Sequence, residues 1–104
     1  MIYAMLSLAV LLHVVDWLQT RWISVNGAAS GIVEINPILG PAPSINQADK
    51  YFLWSALALD FAAMSHYFYG SIPIAYGVLI AWALVEAWAV TNNIRLKIGF
   101  HFPV

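Results

Sequence analysis

Apolar residues run in three blocks along this chain, and each block carries a carboxylate inside it. The blocks cover about 2–25, 47–69 and 72–92, each close to the ~20 apolar residues that a helix needs to cross a bilayer. The later two are well punctuated. Ser44 and Gln47 have capping-box spacing, the first as N-cap and the second three residues on. Asp49 follows in the first turns, where the helix dipole favours an anion. Gly70 suits a helix stop and Pro73 a helix start. The pattern predicts an all-α integral membrane fold with three transmembrane helices, the second and third forming a tight hairpin. Residues 1–104 read as a single membrane domain, with 93–104 as a short cytoplasmic tail.

Between the first two blocks lies a piece of different character. It holds Gly27, Gly31 and Gly40 with Pro37, Pro41 and Pro43, yet its middle is too apolar for an ordinary water-facing loop. Pro37 disfavours helix at Asn36, so any helix there ends early. A re-entrant or interfacial element is expected, with Glu34 and Asn36 at its turning point. Non-helical backbone at membrane depth is tolerated only where protein or a wet cavity satisfies it.

Composition sharpens this picture. The chain is 62% hydrophobic and 9% charged, with a mean hydropathy of +0.80, whereas a soluble domain carries about 25% charged residues. The absence of cysteine removes disulfides, thiolate nucleophiles and sulfur-ligated metals. A net charge of −1 without a basic stripe argues against a nucleic-acid partner. The first block is read as a retained span rather than a secretory signal. No basic residue precedes Arg21, and His13 and Asp16 interrupt the apolar run. With three spans, Arg21, Lys50, Arg95 and Lys97 fall on one side. Positive-inside logic then places the N-terminus outside and the C-terminus in the cytoplasm of a cell inner membrane.

The candidate chemistry lies in the carboxylates. Each costs at least ~2.5 kcal/mol to insert and is normally retained for a partner or a task. Helical rise puts His13 ~16 Å deep and Asp16 and Glu86 both ~21 Å deep from the outer end, with Asp60 ~15 Å in from the other side. His13, Asp16 and Thr20 follow i, i+3, i+7 and share a stripe, with Gln19 beside it; Glu86 and Asn93 share another face. Carboxylates with an imidazole suit a divalent metal such as Zn, Mn, Fe or Mg. The metal-ligating candidates are His13, Asp16, Glu34 and Glu86; the catalytic candidates are Asp16, Glu34 and Glu86. Gln19, Thr20, Asn36, Asp60 and Asn93 are polar support. Plainer readings stand beside these. His13 with Asp16 can be a buried interhelix contact, Asp60 can simply be protonated, and Glu86 can meet Arg95. His66, His101 and the five tryptophans suit interfacial and packing roles.

Asp16-Trp17-Leu18-Gln19-Thr20, the run Glu34-Ile35-Asn36-Pro37-Ile38-Leu39-Gly40, Pro43-Ser44 and Tyr51-Phe52 together form a wider pattern. It resembles small bacterial and phage or prophage membrane proteins that carry an Asp-x-x-x-Thr and a Glu-x-Asn-Pro element, with a Glu then Asn in the last span. The likeness spans about 15–93, and its most specific part is Glu-x-Asn-Pro. It implies a bacterial or phage origin and promotes Asp16, Gln19, Thr20, Glu34, Asn36 and Glu86, but not Asp60 or His66. It lends no mechanism.

Three functions fit this sequence. One is a metal-assisted, membrane-embedded hydrolase acting on a lipid or membrane peptide. The second is a proton or cation pathway through a homo-oligomer, whose close contacts Ala56, Ala58, Ala62, Ala63 and Gly77 would permit. The third is a non-catalytic interaction protein whose polar groups hold helices in register. In each, the lipid bilayer is the surrounding partner.

Overall fold

In the computed structural model, which describes residues 1–34 and 36–103, the chain is a bundle of three α-helices. These are α1 (Ile2–Ser30), α2 (Ile45–Tyr69) and α3 (Ile72–Arg95), and each packs against both others. The α1 and α3 segments are long and apolar enough to cross a membrane. Polar residues along α2, among them Asp49, Lys50, Ser55, Asp60 and His66, make it the less apolar of the three.

The helix ends follow local chemistry. At the start of α2, Ser44 Oγ accepts from Gln47 N at 3.1 Å while Gln47 Oε1 accepts from Ser44 N at 2.9 Å, the reciprocal capping box that the spacing predicts. Ser71 Oγ likewise accepts from Ile74 N, at 3.3 Å, and opens α3 with Pro73 in its first turn. His66 Nδ1 sits 3.5 Å from Ser71 N, so this histidine helps close the α2–α3 turn. The sequence places the end of α1 near residue 25, but the helix continues to Ser30 and stops at Gly31, whose φ of 71° is left-handed. Gly27 permits the extension. A Cβ there would meet Ile32 O at 2.7 Å, because the chain leaving α1 doubles back against it. At its start α2 gains two residues over the predicted span, and α3 gains three at its end.

The bundle has two unlike halves. Around the α1 N-terminus and the α2–α3 turn, Ile2, Ala9, Ala63, Ala75, Leu79 and Trp82 form an apolar core. The alanines are fully buried and let the helices approach closely. Toward the other end the buried side chains turn polar: His13, Gln19, Thr20, Arg21, Glu86 and Asn93. The outer surface reverses that order. Phe61 is 74% exposed, Leu84 66% and Trp88 61%. A polar interior beneath an apolar exterior suits hydrocarbon rather than water as the surrounding medium.

The residues following α3 do not trail away. Ile98 is buried, His101 N donates to Leu18 O at 3.1 Å, and Gly99 crosses so close to Trp22 that a Cβ would meet its Nε1 at 2.8 Å. The predicted tail at 93–104 is therefore two things: Asn93 and the residues to Arg95 finish α3, and the stretch beyond lies along α1.

Candidate functional site

His13 sits on α1 at the boundary between the two halves. Its Nε2 lies 2.8 Å from Phe52 O and its Nδ1 lies 3.0 Å from Glu86 Oε1. Carbonyl oxygen can only accept, so Nε2 carries a hydrogen. The Trp82 indole Nε1, which can only donate, points at Nδ1 from 3.3 Å. Phe52 and Trp82 also pack their rings against the imidazole, with centroids 4.9 Å and 5.3 Å away. The ring is thus held on three sides and kept facing Glu86.

Glu86 continues the chain of contacts. Its carboxyl is a close neighbour of that of Asp16, one turn along α1 from His13, and both line one cavity. Glu86 Oε2 is buried with no hydrogen-bond partner in the protein. Asn93, two turns past Glu86 on α3, steadies the other side. Its Nδ2 donates to Asp16 Oδ1 at 3.2 Å and to Gln19 Oε1 at 3.0 Å. Asp16, Glu86 and His13 therefore form one contiguous polar series crossing from α1 to α3 and back.

The α1–α2 connection closes over this series. Glu34 N donates to Pro41 O at 2.9 Å, and Gly40 N donates to Asn36 O at 3.1 Å. Asn36 Oδ1 accepts from Ile38 N at 2.9 Å, and Glu34 Oε1 accepts from Asn36 N at 3.1 Å. These bonds make the Glu-x-Asn-Pro element a compact turn, although Ile35 lies outside the described residues. Beneath it is a cavity of about 260 Å³. Asp16, Glu34, Asn36, Glu86 and Asn93 supply its polar lining, and Tyr51, Phe52, Pro37, Ile38, Val85 and Trp88 much of its apolar lining. Glu34 lies close enough to Asp16 for the two charges to interact.

Most of the residues singled out from the sequence thus come together. Thr20 is buried on the α1 stripe, where its carbonyl accepts from Ser24 Oγ at 3.2 Å. Asp60 does not join them. It lines a separate surface groove on α2 with Trp54, Leu57, Phe61 and Met64. Equal depth does not mean equal direction: at ~100° per residue Asp60 stands ~80° round α2 from the inward-facing Phe52. Asp60→Leu is accordingly expected to leave the site and the fold alone, shifting stability in detergent by no more than about 0.5 kcal/mol. A loss of more than about 2 kcal/mol would return Asp60 to the site.

The metal-ligand reading loses its geometry. Among the described residues no three His, Asp or Glu side chains are disposed to hold a metal ion. Both imidazole nitrogens of His13 already face protein partners, which leaves His13 no lone pair toward the cavity. Glu86 meets His13 rather than Arg95.

Arg21 and Asp49 were not singled out, and they form the strongest polar contact beside the site. Arg21 Nη1 donates to both Asp49 oxygens at 2.6 Å, and Trp17 Nε1 adds a bond to Asp49 Oδ1 at 2.8 Å. Arg21 Nε donates to His101 O at 3.0 Å, so one guanidinium ties α1 to α2 and to the C-terminal segment. Trp17 and Arg21 at i, i+4 were the available signal, but nothing local marks Asp49 as their partner. Compared with protein families, with curated proteins and with solved structures, the chain matches none.

Proposed function

We propose that this chain is a three-span protein of the bacterial inner membrane whose Asp16–Glu86 pair performs acid–base hydrolysis of an ester or amide. The substrate is a lipid or membrane peptide reaching the cavity from the leaflet on the connection side. Positive-inside logic makes that side cytoplasmic, since Arg21, Lys50, Arg95 and Lys97 all lie at that end of the bundle. The observation that carries the reading is the pair of neighbouring carboxyls lining one cavity, with Glu86 Oε2 buried and without a hydrogen-bond partner in the protein.

As an acid–base couple, one of the two carboxyls acts in its protonated form and the other in its ionised form. That state suits hydrolysis. The ionised member takes a proton from water as its oxygen attacks the carbonyl carbon, and the protonated member gives its proton to the carbonyl oxygen. Collapse of the tetrahedral adduct breaks the bond to the leaving oxygen or nitrogen, which takes up the proton lifted from water, while the proton on the former carbonyl oxygen returns to the carboxyl that gave it. His13, bonded to Glu86 outside the cavity, holds that carboxyl in place and can exchange a proton with it.

The closed half of the bundle argues against a channel through a single chain. Beyond His13 a proton would meet Ala9, Ala75 and Leu79, all fully buried and apolar. The cavity opens on one side of that barrier only, as a site for a substrate needs and a conduit does not.

The test is incubation of the protein in liposomes made from a bacterial lipid extract, with products followed by mass spectrometry. Release of a lysolipid, fatty acid or head group, reduced at least about 100-fold in Asp16→Asn, is expected. The same vesicles, loaded with a pH-sensitive dye, report flux. Proton flux without products overturns hydrolysis and restores the oligomeric pathway. Neither products from lipids or added membrane peptides nor flux overturns both and leaves a non-catalytic interaction protein.

A further inference from the structure

Asp60 is the carboxylate that the site does not use, and it stands where a carboxylate is hardest to place. It lies ~15 Å along α2 from Lys50 and ~14 Å from Tyr69, so in the three-span reading it falls at the middle of the hydrocarbon. Asp60 is half-buried in the outer groove of α2, and among the described residues it has no hydrogen-bond or ion-pair partner. Lipid tails offer none either. Ionisable residues within a span almost always face a bundle interior or a partner group, so this surface is one that another helix covers.

The shape of the groove agrees. Its apolar members Trp54, Leu57, Phe61 and Met64 follow i, i+3, i+7, i+10, the spacing of a seam between two helices. Ala58 and Ser65, seven apart, are small enough to let a neighbouring backbone approach closely. Trp54 is 67% exposed and Leu57 50%, so no segment of this chain fills the space. The groove encloses about 580 Å³ and follows α2 for about three turns, as suits the side chains of a helix laid along it.

A second copy is the poorer occupant. Copies share one orientation in a membrane, so α2 against α2 would set Asp60 beside Asp60, like charge to like. No other face of the chain brings a cation to that depth. His13 is buried, Arg21 is bound to Asp49, and His66 closes the α2–α3 turn. Lys50, Arg95 and Lys97 lie at or beyond the helix ends on the connection side. The complementary charge must come from another protein.

We propose that this face of α2 docks a transmembrane helix of another protein, one that carries a lysine or arginine near its middle and pairs it with Asp60. The inference rests on the three-span part of the proposed function and not on hydrolysis. It gives Asp60 a role that the fold does not need, consistent with the small effect on stability expected of Asp60→Leu.

The test uses the full chain. It has no cysteine, so Ala42→Cys and Tyr69→Cys each offer one thiol, at exposed positions on either side of α2. In bacterial cells, a membrane-impermeant maleimide should reach one thiol directly and the other only after the membrane is opened. Reaction of both under the same condition overturns the three-span reading and the docked helix with it.

The chain labelled with an acceptor dye at Ala42→Cys is then placed in phosphatidylcholine vesicles with donor-labelled leucine–alanine helices of about 24 residues. These carry lysine, leucine or aspartate at their centre. Energy transfer should show the lysine peptide binding at least about fivefold tighter than the leucine peptide, with the aspartate peptide no tighter than leucine. Asp60→Leu should erase that preference while circular dichroism shows the helices intact. Ala58→Trp fills the groove and should weaken the lysine peptide at least about fivefold. Ala81→Trp, on the outer face of α3, should bind as the unaltered chain does. Equal binding of lysine and leucine peptides by a chain whose α2 crosses the membrane overturns the docking proposal alone. A lysine preference that survives Asp60→Leu does the same. Transfer between labelled copies that Asp60→Leu removes, without any lysine preference, would give the groove to a second copy instead.

Discussion

Glu86→Gln is expected to lower turnover at least about 100-fold while the bundle stays folded, and Glu86→Ala to unfold it in mild detergent. The contrast follows from where Glu86 stands. Its Oε1 meets His13 Nδ1 at 3.0 Å, and its carboxyl neighbours that of Asp16 in the cavity lining. Glutamine keeps the volume and offers both a donor and an acceptor, so each neighbour retains a hydrogen-bond partner. It cannot pass a proton on, and loss of one acid–base group typically costs ~10²–10⁴ in rate. Alanine instead leaves a hole beside His13 and strands a buried imidazole and a half-buried carboxyl. Removing one member of such a buried pair costs about 3–5 kcal/mol, a large share of the stability of a small chain. Thermal unfolding in detergent and turnover in liposomes measure the two effects separately. Full turnover in a folded Glu86→Gln protein would remove Glu86 from the chemistry and reduce the series to a structural contact.

The parts of this molecule that were legible in the sequence are those where a residue's identity fixes its neighbourhood. Ser44 and Gln47 bond each other across one turn, so spacing alone announces the start of α2. Asp16 and Glu86 could be brought to one level by counting helical rise, and Asn93 to the face of Glu86 by its spacing of seven. The likeness that promoted Glu34 and Asn36 pointed at a turn that lies over that level. What failed was direction. Depth is shared by every face of a helix, and Asp60 has the right depth on the wrong face. Backbone partners were equally hidden. The carbonyl of Phe52 fixes the His13 ring, yet a carbonyl oxygen has no letter in the sequence. The metal reading lost His13 for that reason, because a histidine held at both nitrogens is no longer a free ligand. The end of α1 was misjudged since Gly27 reads as a breaker. Here it serves close approach, with Ile32 O lying where a side chain would be.

Arg21→Ala is expected to destabilise the chain by about 2–4 kcal/mol and to free the residues following α3. Arg21 is 6% exposed and the contact joins three segments at once. Two of its bonds reach the Asp49 oxygens at 2.6 Å, a third reaches His101 O at 3.0 Å, and the guanidinium lies 5.6 Å from the Trp17 ring. Each bond to a charged group is worth about 1.5–3 kcal/mol. Asp49 is partly open to its surroundings, with a side-chain exposure of 39%, and that screening holds the sum well below simple addition. Lysine should rescue only part of the loss, since an ammonium on one stem cannot bond Asp49 and the His101 carbonyl in the fixed fork that arginine provides. Asp49→Asn should fall between the two, because Trp17 Nε1 keeps an acceptor while the ion pair is lost. Hydrogen exchange distinguishes an anchor from a mere contributor to stability. His101 N is bonded to Leu18 O, so its protection reports directly on whether the segment stays docked. In Arg21→Ala that protection should disappear under conditions where the α3 amides keep theirs. Loss of both together would mean that Arg21 supports the bundle as a whole and does not hold the C-terminal segment separately.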